Sequence, residues 1–329
     1  MTEPQIILRD ATETAAIRTG VRGPLSYMFD VPHFYASIAE SCPGLIIHKS
    51  LSDVSGSLHE PIKLLPESLE EKRPRTGLTH PELWVNQFDT FLSQHLTLDG
   101  KVKAVIELGR SYICYPIYSD GAGFAMDFGG ILKFRRDIRL LGTKTLHLLA
   151  EKLEYDIGDL HQPYYPSFFM GAHLRTEEDA RKGWPGQDWK YSRYETQASL
   201  YLNQSSITGL KNIYVASGDP LEIQKFASNA TSIGATIHTK HSVLDEASRK
   251  ELDALAWDQQ GMVDFLVMLK ASDFAGVGHS SFAWNIALLR HKYARQQDHL
   301  SGPQMLNDEL STIFGGVKAY PEYVATLWP

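Results

Sequence analysis

Two cysteines, Cys42 and Cys114, in 329 residues exclude a disulfide framework and a cysteine-based zinc pattern. The expected state is two free, buried thiols, with a single disulfide as the alternative. No run approaches the roughly 18 apolar residues of a membrane span, so no membrane segment is expected. Positive charge is also short. Lys and Arg number 32 against 39 Asp and Glu, a formal net charge of -7. That balance argues against a nucleic-acid partner, because phosphate backbones take clustered Lys and Arg; it leaves room for a local basic pocket that holds a small anion. The opening residues lack a basic n-region and an apolar h-region. As written, the chain is expected to be cytoplasmic.

Several motifs are missing too. The thirteen histidines contain no HExxH and no carboxylate–histidine cluster, so no metal site is expected. There is no G-x-S-x-G elbow, which leaves a serine hydrolase unsupported. The glycine-rich stretch 121–130 follows no clear strand with dinucleotide-binding spacing and reads as a loop, which argues against a Rossmann-type dehydrogenase.

What is present is an ordinary packed composition, 43% hydrophobic and 22% charged. Residues 1–23 show little commitment to structure. A helix begins near Pro32, with Asp30 placed to cap it. A short strand is expected at 45–50, a long surface excursion at 50–81, and a helix at 81–96. Strand-like runs follow at 101–109 and 112–118, and one or two helices at 132–153. Beyond residue 160 the pattern sharpens: strands at 166–175, 212–219, 235–240 and 273–278 alternate with helices at 191–206, 220–234, 261–272 and 280–296. The helix at 261–272 is apolar on nearly every face and should be buried. Alternation of this kind implies a parallel, doubly wound sheet and an α/β fold.

Ligands of such sheets sit beyond the carboxyl ends of the strands. Three segments bring polar residues there: 171–180, 216–220 and 276–284. In the last, a strand ends in glycines and Ser280 and Ser281 open a helix whose first turn can hold a phosphate. Ordinary capping by Ser280 is the other reading. Arg175 offers a cation whose planar fork suits phosphate, and His173 is two residues before it, on the same strand face. Pairing of Arg175 with Glu177, Glu178 or Asp179 is the alternative. Asp264 lies in an apolar stretch and needs partners, either structural or on a ligand. Asp219, before Pro220, reads as a helix cap. Trp184 and Trp189 are placed in a Pro- and Gly-containing loop, either a substrate-side lid or acceptor platform, or a surface loop packed on its own aromatics.

At these residues the sequence resembles the GDP-fucose protein O-fucosyltransferase family. The block 23–34 is similar to its F-D-x-x-H-F segment, 171–180 to its H-x-R strand end, and 212–219 to the next strand. Residues 262–291 resemble its C-terminal signature, the most specific of the four. The resemblance covers about 23–50 and 166–295. It implies a GT-B-like, metal-independent glycosyltransferase with GDP-fucose as donor substrate and no other cofactor. An N-terminal acceptor-side α/β domain would span 1–160 and a C-terminal nucleotide-sugar-binding domain 161–329. It places the leaving diphosphate on Arg175, phosphate contacts on Ser280, Ser281 and Phe282, and the nucleoside side on Asp264, with His173 part of the same nucleotide-sugar site. The family's glycine-rich, arginine-containing element has no counterpart in the 22 residues before Gly23. The N-terminal domain is therefore expected to be shortened. No catalytic base is assigned; Glu177 and Asp179 are candidates by position.

Two functions stay open. One is transfer of fucose from GDP-fucose to a protein or small-molecule acceptor. The other is a transferase-like scaffold that has lost transfer and binds a metabolite or serves as a repurposed small-molecule pathway enzyme. For the second, Tyr164, Tyr165, Phe168, Phe169, Trp184 and Trp189 could line an apolar cleft.

Overall fold

The computed structural model describes residues 1–7, 22–64, 84–95, 102–108, 128–177, 180, 190–296 and 305–315. The expected strand at 112–118, most of the glycine-rich stretch 121–130, Cys114, Glu178, Asp179, Trp184 and Trp189 lie outside them.

The chain forms two compact units. One contains Met1–Pro4, Pro32–Ile131 and Ala319–Pro329; the other contains Gln5–Val31 and Leu132–Lys318. Strand β1 (Gln5–Ile7) pairs antiparallel with β2 (Arg22–Pro24), so the opening residues carry more structure than their composition suggests. Helix α1 (Val31–Ser41) starts beside Pro32 as expected. The Asp30 carboxylate, expected as its cap, accepts from Arg139 at 2.8 Å. Cys42 is a free thiol but exposed rather than buried, because it sits in the turn that ends α1. The strand expected at 45–50 is reduced to a bridge between His48 and Thr2. The excursion after residue 50 contains two short strands, β3 (Ser57–Leu58) and β4 (Ile62–Leu64). Beyond helix α2 (Trp84–His95), β3 and β4 find parallel partners in β5 (Val102–Lys103) and β6 (Ile106–Leu108). Their pairing depends on contacts some 45 residues away, which no local pattern reveals.

The second unit holds helix α3 (Arg136–Lys152), then β7 (Met170–His173), α4 (Tyr194–Thr208), β8 (Asn212–Ala216), α5 (Pro220–Ala230) and β9 (Thr236–His238). Two short helices follow, α6 (Lys240–Val243) and α7 (Glu246–Asp253), then α8 (Trp257–Leu269), β10 (Asp273–Val277), α9 (Ser281–His291) and β11 (Ser311–Phe314). The five strands form one sheet in the order β11-β10-β7-β8-β9, every pair parallel. This is the mixed α/β architecture with a doubly wound C-terminal sheet that the alternation implies. Every residue of β7 and β10 is buried, as strands covered on both faces must be.

Alternation along the strands decides which helix meets which face. Met170, Ala172, Val215, Ala275 and Val277 share a core with Tyr194, Ala198, Tyr201 and Phe226 of α4 and α5. The opposite face belongs to α8 and α9. A Cβ on Gly171 would stand 3.4 Å from Met268, and one on Gly276 would stand 2.5 Å from the Cβ of Ala283. Gly276 is thus required by the close approach of α9 to β10. Helix α3 packs on α8, so it belongs with the sheet. At α5, Asp219 caps as expected, accepting from Leu221 N at 2.9 Å and Glu222 N at 3.2 Å.

Tyr165, Phe168 and Phe169, candidates for lining a cleft, are buried and stack on one another and on Tyr155 and Tyr214. Buried to 4% exposure or less, they are core rather than the lining of an open cleft.

Behind the sheet Arg290 is 2% exposed. Its guanidinium donates to the carbonyls of Leu269 at 2.8 Å, Ala271 at 2.7 Å and Leu310 at 2.7 Å, and to Ser311 Oγ at 3.1 Å. One side chain thereby ties the end of α8, the entry to β10 and the start of β11. The α8 carbonyls it meets are the negative end of that helix, which offsets part of the desolvation of the cation. Burial still lowers its pKa to about 10. Arg290→Met leaves several buried carbonyls without a donor and should cost about 3–5 kcal/mol, read as a lowered urea midpoint. A loss under about 1 kcal/mol, the size of an ordinary surface substitution, would show that the knot is dispensable.

Candidate nucleotide site at the sheet switch point

From β7 the chain moves outward through β8 to β9, then returns to β10 on the other side of β7. The order reverses between β7 and β10, and a crevice opens beyond the carboxyl ends of strands at such a junction. β7 ends in His173 there, and β10 leads through Gly278 and His279 to Ser280.

Ser280 caps α9, with its Oγ accepting from Ala283 N at 3.4 Å. The same Oγ lies 3.3 Å from His173 Nδ1, so the cap and the strand end are joined across the junction. The His173 ring packs on Phe282, with centroids 4.6 Å apart, and Phe282 meets Phe265 edge-on at 5.5 Å. Burial lowers the His173 pKa to about 3; Glu177 opposes that shift, while Arg175 and His279 add to it. The imidazole is therefore neutral near pH 7. Ser281, the next residue, is exposed at the first turn of α9, where backbone N–H groups lack intrahelical partners. Capping by Ser280 and an open first turn thus coexist.

Arg175 follows the strand by two residues. Gln197, fully buried on α4, clamps its backbone: Arg175 N donates to Gln197 Oε1 at 2.8 Å, and Gln197 Nε2 donates to the Arg175 carbonyl at 2.9 Å and to that of Tyr191 at 2.7 Å. One helical turn on, Tyr201 OH donates to the His173 carbonyl at 2.8 Å. Gln197 and Tyr201 were missed in the sequence. Their only trace is two polar-tipped residues four apart, on one face of the helix.

The Arg175 guanidinium pairs with Glu177 Oε2 at 2.6 Å, and both side chains are under 20% exposed. Glu177 Oε1 accepts from Gly218 N at 2.8 Å, at the end of β8. Burial pushes the Glu177 carboxyl up, but Arg175, His173 and the Gly218 N–H outweigh it and hold the carboxyl below its ordinary range. The pairing with a nearby carboxylate is thus realised with Glu177, in a half-buried setting rather than at the open surface.

Asp264 is 3% exposed on α8. One oxygen accepts from Tyr214 OH at 2.8 Å, and the other pairs with Lys240 at 2.5 Å. This satisfied trio links β8, α6 and α8. Each Asp264 oxygen thus already has a partner within the chain. His173, Ser280 and Phe282 are brought together, and the charges of Arg175 and Glu177 act on His173; Asp264 is occupied within its own network. Among the described residues, no three His, Cys, Asp or Glu side chains group as a metal site. No described helix is long and apolar enough to cross a membrane.

No protein-family model matches the chain, and no curated protein matches it. Among solved structures it is similar to POFUT1 in complex with GDP, at 12% identity over 96% of this chain and 89% of that one, with a TM-score of 0.48. POFUT1 in complex with GDP-fucose is similar at 11% identity over 95% and 89%, with a TM-score of 0.49. The apo form gives 12%, 91% and 86%, with a TM-score of 0.47. At these identities and TM-scores the likeness assigns no donor, acceptor or residue role.

Three described histidines are depressed, His173, His238 and His241, and the first two give a pH signature. His173 falls to about 3 and His238, also lowered first by burial, to about 4, against an ordinary value of 6.5. Below pH 6.5 the unfolded chain binds protons that the native state refuses, so stability falls as pH drops from 6.5 toward the folded values. We expect the urea midpoint to decline from pH 7 to pH 5, and the His173 ring signals to stay untitrated over that interval in NMR. A His173 titration centred near 6.5 would contradict the buried, neutral assignment.

Proposed function

We propose that the protein is a GT-B-like glycosyltransferase that takes a nucleoside-diphosphate sugar, with GDP-fucose the donor its motifs favour, and a protein or small molecule as acceptor. The observation that carries this reading is the meeting, at the β7–β10 junction, of a strand end bearing His173 and Arg175 with the Ser280-capped start of α9. In glycosyl transfer, negative charge builds on the leaving diphosphate. A positioned guanidinium and a helix N-terminus stabilise that charge most in the transition state. In this reading Arg175 meets the diphosphate, Ser281 and Phe282 supply first-turn N–H groups, and neutral His173 orients Ser280 without adding charge. Asp264 acts at one remove, by holding Lys240 and Tyr214 against α8.

Glu177 is a weak candidate for the catalytic base. Its depressed pKa lowers its basicity, and both its oxygens are engaged. The reaction is proposed to run without a metal ion, because Arg175 supplies the fixed positive charge.

One observation favours the second reading, a transferase-like scaffold without transfer: Arg175 is already engaged by a carboxylate of its own chain. Calorimetry with GDP, without added metal, separates the two. Wild type should bind GDP saturably. Arg175→Ala should bind at least about tenfold more weakly with its fold intact, since charge-assisted bonds of about 1.5–3 kcal/mol are lost. Undiminished binding by the variant would remove Arg175 from the site, and no binding of GDP by wild type or by any variant of the site would favour the scaffold. A chelator should leave GDP binding and any transfer activity unchanged; loss with EDTA and rescue by a divalent ion would overturn the metal-free proposal.

A further inference from the structure

The contacts of Glu177 have the form of a bound anion. Its two oxygens sit on two different kinds of donor, the Arg175 guanidinium at 2.6 Å and the backbone N–H of Gly218 at 2.8 Å. Those donors come from the ends of adjacent strands, β7 and β8, at the edge where a phosphate would lie. The cradle is shaped by the absence of a side chain at 218. A Cβ there would stand 2.9 Å from Glu177 Oε1 and 3.2 Å from the Trp257 ring, so a side chain at 218 would crowd an anion seated on this N–H. Thr176, next in sequence, donates to Glu222 of α5, which steadies the turn that carries Glu177. A guanidinium fork and a main-chain N–H are the donors that recognise phosphate oxygens.

We propose that Glu177 is an internal anion that occupies the phosphate-binding groups of this site, and that a ligand diphosphate binds by displacing it from Arg175 and the Gly218 N–H. The proposal rests on the reading of Arg175 as the cation that meets the diphosphate. No bond is made or broken; one anion exchanges for another. Glu177 is then a specificity-determining residue. Displacement lowers apparent affinity by the fraction of molecules whose cradle is free, so an anion with few other contacts is rejected, and a nucleoside diphosphate with many is retained. The carboxylate also keeps Arg175 folded over the strand end until the ligand arrives.

Calorimetry with GDP and with inorganic pyrophosphate tests this on the full chain. Glu177→Gln keeps the shape and an oxygen for Gly218 N–H but gives up the charge. It should bind both probes about tenfold more tightly than wild type. Glu177→Ser, too short to reach Arg175, should shift both in the same direction. Thermal melting of each variant establishes that it is folded, so that either one carries the test if the other is not. Tighter binding by a folded variant supports displacement, including the case where wild type binds too weakly to detect. If wild type binds GDP and the folded variants bind it equally or more weakly, Glu177 instead holds Arg175 in its binding pose; the proposal then fails while the diphosphate reading survives. If no protein binds either probe, both fail together.

Discussion

The parallel pairing of β7 with β10 is the constraint on which the rest of the second unit depends. It places Phe274 against Gly171 and Ala275 against Ala172, and it makes the strand order reverse at one position. Because parallel crossovers are right-handed, that reversal sends α4 and α5 to one face and α8 and α9 to the other. The start of α9 is thereby brought to the end of β7. Gly276 lets α9 approach closely, since a side chain there would collide with Ala283, and Gly171 fits a tight space beside Phe274 and Ala271. The His173–Ser280 contact follows from this register.

Buried polar groups hold the elements in place. Arg290 fastens α8 to β10 and β11, the Asp264–Lys240–Tyr214 trio fastens α8 to β8 and α6, and Gln197 with Tyr201 fastens α4 to the end of β7. Each is costly to bury and more costly to leave unpaired. Such groups give a site its precision, because they penalise every arrangement in which a partner is missing. The Arg175–Glu177 pair lies at the carboxyl edge of the sheet, where an external anion is proposed to substitute for the carboxylate.

The C-terminal sheet was legible because its signals are local. The proline and aspartate at the start of α5, the glycine-to-serine step after β10 and the apolar run of α8 each name their element without reference to anything distant. His173 and Ser280 could be grouped from the strand-end rule, and Phe282 was added by the family resemblance. What was not legible depends on tertiary partners. β3 to β6 are two or three residues long and exist only through pairing, β11 needs β10 beside it, and the rings of Tyr165, Phe168 and Phe169 look the same in sequence whether they line a cleft or fill a core. The occupation of Asp264 by Lys240 is of this kind too, since 24 residues separate them and neither lies in a motif with the other.

The central claim is that the β7–β10 junction is a diphosphate site built on Arg175 and the start of α9. A crystal structure of the protein grown with GDP tests it most directly. The account predicts diphosphate density within hydrogen-bonding distance of the Arg175 guanidinium and of the N–H groups of Ser281 and Phe282, beside the His173–Ser280 contact. GDP bound elsewhere on the molecule, with that junction unliganded, would contradict it.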